Sequence, residues 1–154
     1  FTDIMKLYKN ILTEKERKKL LAFVKTQVRD LRPRCPGLQT LMDLHTFDET
    51  KHFYNLIMSK YFKKYQIENS WGNYCEGDEI NWHNHPTCKL SAVYFLQNSD
   101  SLGTMFRDER YSWDKITSPK CPQNSLLVFD GNEIHSQPYS PKKIKRYSIA
   151  IDLI

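Results

Sequence analysis

At 154 residues, 40% of them hydrophobic and 13% aromatic, the chain has enough apolar side chains to bury a core in one domain, which excludes wholesale disorder. No run of about 18 apolar residues occurs, which excludes a helical membrane span. The net charge of +5 gathers at Lys15 to Lys19, Lys60 to Lys64 and Lys142 to Arg146. Solvated helix faces and a basic loop account for that surplus, with an anionic partner as the alternative, so nucleic acid is not excluded.

In chain order, Phe1 to Leu12 reads as a short strand or lead-in. The sequence opens on Phe1 rather than Met, so further N-terminal residues are expected, and no signal-peptide pattern occurs in what is given. Thr13 and Glu16 form an S/T-x-x-E capping box that starts a helix. Leu20, Phe23, Val24, Val28 and Leu31 follow at helical spacing, and Arg32-Pro33-Arg34-Cys35-Pro36-Gly37 ends the helix in a turn. Thr46 and Glu49 repeat the capping signal before a second helix carrying Phe53, Leu56, Ile57, Tyr61 and Tyr65 on one face. From Trp71 the pattern changes to short apolar runs broken by Gly, Pro, Asn and Asp. Strands are expected over Trp71 to Glu76, around Ile80, over Leu90 to Leu96, Gly103 to Arg107, Ser125 to Phe129, Ile134 to Gln137 and Tyr147 to Leu153. The expected fold is α+β but mainly β: a barrel or a double-sheet jelly roll with two N-terminal helices packed outside one sheet. The expected organisation is a single domain over 1–154, with helical support over 1–68 and a jelly-roll core over 69–154.

The four cysteines, Cys35, Cys75, Cys88 and Cys121, form no C-x-x-C pair, which argues against a zinc ribbon or a thioredoxin motif. Their spacing suits free thiols in a reducing, cytoplasmic compartment. Cys75 and Cys88 lie near the histidines and are the soft-ligand alternative.

His83 and His85 are two residues apart, so a strand or its end presents both rings to one point, as a transition metal requires. His135 follows the expected strand ending at Phe129, where a jelly roll brings a later strand beside an earlier one. The alternative is a surface histidine in a loop. In the last strand the period is two. Tyr147, Ile149, Ile151 and Leu153 share the face expected to meet the helices, while Arg146, Ser148, Ala150 and Asp152 share the other. Arg146 and Ser148 therefore point into the barrel. A buried arginine needs an anion, and its planar fork matches a carboxylate. Either a carboxylate-bearing cosubstrate or an internal acidic side chain meets that need.

His83-x-His85, His135 and Arg146-x-Ser148 together resemble the iron- and 2-oxoglutarate-dependent oxygenases, in particular the prolyl 4-hydroxylase-like branch found in bacteria and their phages. Ser70-Trp71-Gly72-Asn73, His85-Pro86, Leu90-Ser91-Ala92-Val93-Tyr94, Gly103-Thr104-Met105-Phe106 and Leu126-Leu127-Val128-Phe129 extend the likeness from Ser70 to the end. The resemblance implies a double-stranded β-helix holding Fe(II), with His83 and His135 as ligands and Arg146, assisted by Ser148, on the distal carboxylate of 2-oxoglutarate. It implies hydroxylation of a C–H bond with release of succinate and CO2. The oxygenases generally place an acidic residue two positions after the first histidine. Here His85 stands there and is expected as the third ligand, with Asp78 and Glu79 as the nearest alternative carboxylates. Prolyl hydroxylases of this pattern often carry a tyrosine where Phe95 stands. Asn73, the stronger candidate, and Ser91 are the polar substitutes for binding cosubstrate, with backbone groups as their alternative partners, and Arg110 either reaches substrate or forms a surface ion pair. The primary substrate is left open among a protein side chain, an amino acid and a nucleobase. The rival readings are a cupin-like metal enzyme without 2-oxoglutarate and a non-catalytic jelly-roll binding or structural module.

Overall fold

The structure is a computed structural model that describes residues 5–31, 37–76, 80–99, 103–107, 116–137 and 144–154. Cys35, Asp78, Glu79 and Arg110 lie outside the described residues.

Helix α1 spans Glu14–Gln27 and starts as its sequence dictates. The Thr13 hydroxyl accepts from the Glu16 amide at 3.1 Å and the Glu16 carboxylate accepts from the Thr13 amide at 2.9 Å, so two of the unpaired amides of the first turn are satisfied reciprocally. The helix stops earlier than the apolar spacing suggests. Val28 takes extended backbone, φ −71° and ψ 141°, and Leu31 falls outside the helix. The second capping signal does not start a helix. The Thr46 hydroxyl donates back to the Asp43 carbonyl at 2.7 Å and is not offered to the next turn. Residues 44–50 instead form two 3-10 turns, and helix α2 runs over Lys51–Tyr61, leaving Tyr65 beyond its end.

Strands β1 (Lys6–Tyr8), β2 (Arg29–Asp30), β3 (Leu38–Gln39), β4 (Ile67–Glu76), β6 (Leu90–Asn98), β9 (Leu126–Asp130) and β11 (Lys145–Leu153) form one sheet, ordered β1-β9-β6-β11-β4-β3-β2. Strands β5 (Ile80–His83), β7 (Met105–Arg107), β8 (Ile116–Thr117) and β10 (Ile134–Gln137) form a second, ordered β5-β10-β7-β8. Every ladder is antiparallel. This is the expected double-stranded β-helix. The first 68 residues contribute more than helices, since β1 and β3 pair with β9 and β4.

Period-two alternation sorts the large sheet into two faces. Tyr94, Leu96, Leu126, Val128, Ile149, Ile151 and Leu153 pack with Leu20 and Val24 of α1 and Phe53, Tyr54 and Ile57 of α2 in the main core. The helices therefore lie on the outer face. The opposite face carries Phe95, Leu127 and Phe129, which pack with Phe106 and Cys121 in a smaller cluster between the sheets. Beside that cluster the interior opens into a cavity of about 460 Å³.

Candidate metal and carboxylate site

β10 pairs with β5 so that His135 stands directly opposite His83. Cross-strand partners share a face, and their ring centroids are 4.3 Å apart. His85 lies just past the end of β5 and is returned to the site by two backbone bonds. Its amide donates to the Gly131 carbonyl at 2.7 Å, and its carbonyl accepts from the Cys88 amide at 3.0 Å. Gly131 permits this approach: a β-carbon there would stand 2.2 Å from the Cys88 carbonyl oxygen and 2.7 Å from the His85 carbonyl oxygen. The His85 ring stacks on Trp71 at 6.0 Å and on His135 at 5.1 Å.

One nitrogen from each of His83, His85 and His135 falls within 4.8 Å of the other two. Nitrogens sharing one ion stand about 3–3.5 Å apart at ordinary metal–imidazole distances of about 2.0–2.1 Å, so modest ring rotations would close the set. The donor chemistry also fits. His135 Nδ1 lies 2.9 Å from the Glu133 carbonyl oxygen; donation there leaves Nε2 with its lone pair for a metal. Burial against Phe129 and Phe106 pushes the His135 pKa down to about 3, against the opposing pull of the Glu133 bond. The ring is therefore neutral, as a ligand must be.

The cavity is lined by His83, His85 and His135 together with Asn73, Ser91, Phe95, Arg146, Ser148 and Asp152. Strand β11 supplies the last three at alternate positions. Arg146 is only 3% exposed, and its Nε donates to Asn98 Oδ1 at 3.2 Å. Asn98 in turn donates through Nδ2 to the Cys121 carbonyl at 2.7 Å, which fixes its oxygen toward the arginine. Ser148 pairs in register with Asn73 and Phe95. Phe95, buried on the inner face, offers no hydroxyl to the cavity. The Ser91 hydroxyl donates to Asp152 Oδ1 at 3.4 Å.

Two residues with evident work here were given no role by sequence reasoning. Asn98 lies beyond the expected end of its strand, and simple alternation from Ser91, Val93 and Phe95 points Gln97 inward. A bulge changes the parity: Ser148 pairs with Phe95, but Tyr147 pairs with Gln97 and Arg146 with Asn98. Asp152 was on the inward face by alternation, yet its partner could not be read. It lies 3.2 Å from His85 Nδ1 through Oδ1. Of the soft-ligand alternatives, Cys88 is directed to Glu68 Oε2 at 3.5 Å. Neither Cys88 nor Cys75 belongs to the histidine group. Cys75, Cys88 and Cys121 are all buried free thiols.

No protein-family model matches the sequence, and no curated protein matches it. Solved structures do match in three dimensions. An oxidoreductase of the 2OG-Fe(II) oxygenase family from Burkholderia pseudomallei superposes with a TM-score of 0.75 at 11% identity, covering 97% of this chain and 83% of its own. The chain has the fold of the 2OG-Fe(II) oxygenases. HygX from Streptomyces hygroscopicus, with nickel and 2-oxoglutarate bound, superposes at 0.75 and 8% identity, over 97% of this chain and 82% of its own. A prolyl hydroxylase from Trichoplax adhaerens, in complex with a hypoxia inducible factor peptide fragment, superposes at 0.69 and 15% identity, over 99% of this chain and 84% of its own. At such identities the likeness is one of fold. Among the described residues no helix is long and apolar enough to cross a membrane.

Proposed function

We propose that the chain is an Fe(II)- and 2-oxoglutarate-dependent dioxygenase that hydroxylates a C–H bond with release of succinate and CO2. One observation carries the reading: three histidine nitrogens within 4.8 Å of one another face the same cavity as a buried arginine. His83, His85 and His135 would hold the iron. Arg146 would take the distal carboxylate of 2-oxoglutarate through its planar fork, with Ser148 adding a hydroxyl and Asn73 and Ser91 as further polar contacts. The bond from Arg146 Nε to Asn98 holds the guanidinium plane, so less rotational freedom is lost when the carboxylate docks. Val93, Phe95 and Phe129 give the cavity an apolar wall that excludes water and strengthens each charged contact. Bound at the histidines, iron would supply the activation of dioxygen that couples oxidative decarboxylation to hydroxylation. The cavity, about 460 Å³, lies within the range of small-molecule sites. That HygX carries nickel and 2-oxoglutarate on the same fold supports the assignment of both groups.

The test is anaerobic addition of Fe(II) and 2-oxoglutarate. A weak visible charge-transfer band is expected, lost in Arg146→Ala, with succinate released when oxygen is admitted. No cosubstrate binding by the wild-type protein refutes the proposal. The all-histidine donor set also suits a cupin-like metal enzyme without 2-oxoglutarate. Metal binding without succinate release selects that reading, and the buried Arg146 weighs against it.

A further inference from the structure

The histidine set presents a charge problem. Three neutral imidazoles leave a divalent ion with more positive charge than two imidazoles and a carboxylate would. Position 85, where the oxygenases generally carry an acid, holds a histidine. Among the described residues, the only group whose ligand atoms lie mutually close is the histidine trio. Yet a carboxylate stands beside one of its members. Asp152 Oδ1 is 3.2 Å from Nδ1 of His85, the side chain is largely buried, and it lines the same cavity.

We infer that Asp152 is the carboxylate of this centre, placed one residue removed from the metal position: it accepts a hydrogen bond from His85 Nδ1–H and presents Nε2 of that ring as the ligand atom. The inference rests on the proposed metal centre and names a positioning residue within it.

Three features hold the arrangement. Asp152 sits on the inward face of β11, between Ser91 of β6 and Asn69 of β4 in register. The Ser91 hydroxyl donates to the same Oδ1 at 3.4 Å, so the carboxylate is anchored from the sheet side. The ring it meets is already limited in rotation by the stack on Trp71 and by the backbone bond from His85 to Gly131. His135 Nδ1 meets a neutral acceptor, the Glu133 carbonyl, at 2.9 Å. Two of the three ligands would therefore have their tautomer set at Nδ1, one by a carbonyl and one by a carboxylate. The carboxylate makes the distal nitrogen the better electron donor and returns part of the missing negative charge to the ion. Partners of this kind typically account for about 10–100-fold in metal affinity.

The test uses the full chain and Co(II) as the probe, followed by calorimetry and by the visible d–d bands. Asp152→Asn keeps the size and an oxygen at the same place but removes the charge. It is expected to bind Co(II) about 10–100-fold more weakly than wild type and to keep the metal-free melting temperature. His85→Ala sets the scale for complete loss of that ligand. If Asp152→Asn binds within about threefold of wild type, the inference is overturned and the metal centre stands. If wild type itself binds no Co(II), the metal centre and the inference both fall. A second measurement needs no variant. In the Zn(II)-loaded protein labelled with 15N-histidine, long-range 15N–1H correlations are expected to show His85 protonated at Nδ1 and metal-bound at Nε2. Coordination through Nδ1 overturns the inference, because that atom cannot then donate to Asp152.

Discussion

Gly131→Ala puts the least possible matter at the point where two loops are held together. The added methyl would stand 2.2 Å from the Cys88 carbonyl oxygen and 2.7 Å from the His85 carbonyl oxygen, whereas ordinary contact begins near 3.4 Å. The turn from His85 to Cys88 must therefore retreat by about 1.2 Å at Cys88 and about 0.7 Å at His85, beyond the roughly 0.5 Å tolerance of a preorganised site. The retreat also stretches the His85 amide bond to the Gly131 carbonyl, now 2.7 Å. Overpacking of this kind costs about 1–3 kcal/mol. In a chain of this length each kcal/mol shifts the melting temperature by about 2–4 °C. Two readouts follow: a lower melting temperature without metal, and Co(II) affinity reduced by about tenfold or more as one ligand leaves the set. Gly103→Ala is the control. Its methyl would meet the Pro119 carbonyl oxygen at 2.4 Å and Cys121 Sγ at 2.5 Å, so it destabilises comparably without pushing on a histidine-bearing loop, and its Co(II) affinity should stay near wild type. A Gly131→Ala protein that melts and binds Co(II) as wild type does would show that the close approach at Gly131 does not hold His85 in place.

Asn98→Ala removes the group that orients Arg146 and leaves the Cys121 carbonyl without its 2.7 Å donor. It is expected to cost about 1–3 kcal/mol in chemical denaturation. It should also weaken 2-oxoglutarate binding while leaving Co(II) affinity unchanged, and equal loss of both would contradict this division. Burial raises the Cys121 thiol to about 11, so at pH 8 it remains protonated and poorly nucleophilic. Iodoacetamide labelling followed by mass spectrometry should mark Cys121 only as denaturant unfolds the chain, and rapid labelling of the native protein would contradict its placement.

The site was legible in the sequence where a strict local period carried the information. In β11 alternation alone separates Ile149, Ile151 and Leu153, which meet the helices, from Arg146, Ser148 and Asp152, which line the cavity. Elements of two residues, such as β2, β3 and β8, are too short to show any period. The second capping box misled because the same Thr46 hydroxyl can bond forward or backward, and only tertiary context decides which. Asn98 was hidden by a bulge, which reverses parity without a mark in the residues. The role of Asp152 depends on His85, far away in the chain, and no spacing rule joins a strand-end carboxylate to a loop histidine.

The two faces of β11 also separate what selection can change from what it must keep. Its odd positions 149, 151 and 153 are locked into the packing of both helices. Its even positions face a cavity and contribute little to that packing. Substitutions at the even positions can therefore alter which anion is anchored, or how a metal is tuned, while leaving the packing of the helices in place. One strand thus serves as a fixed rail on one side and a replaceable row of tools on the other. New chemistry on this scaffold is most accessible by changing every second residue of β11.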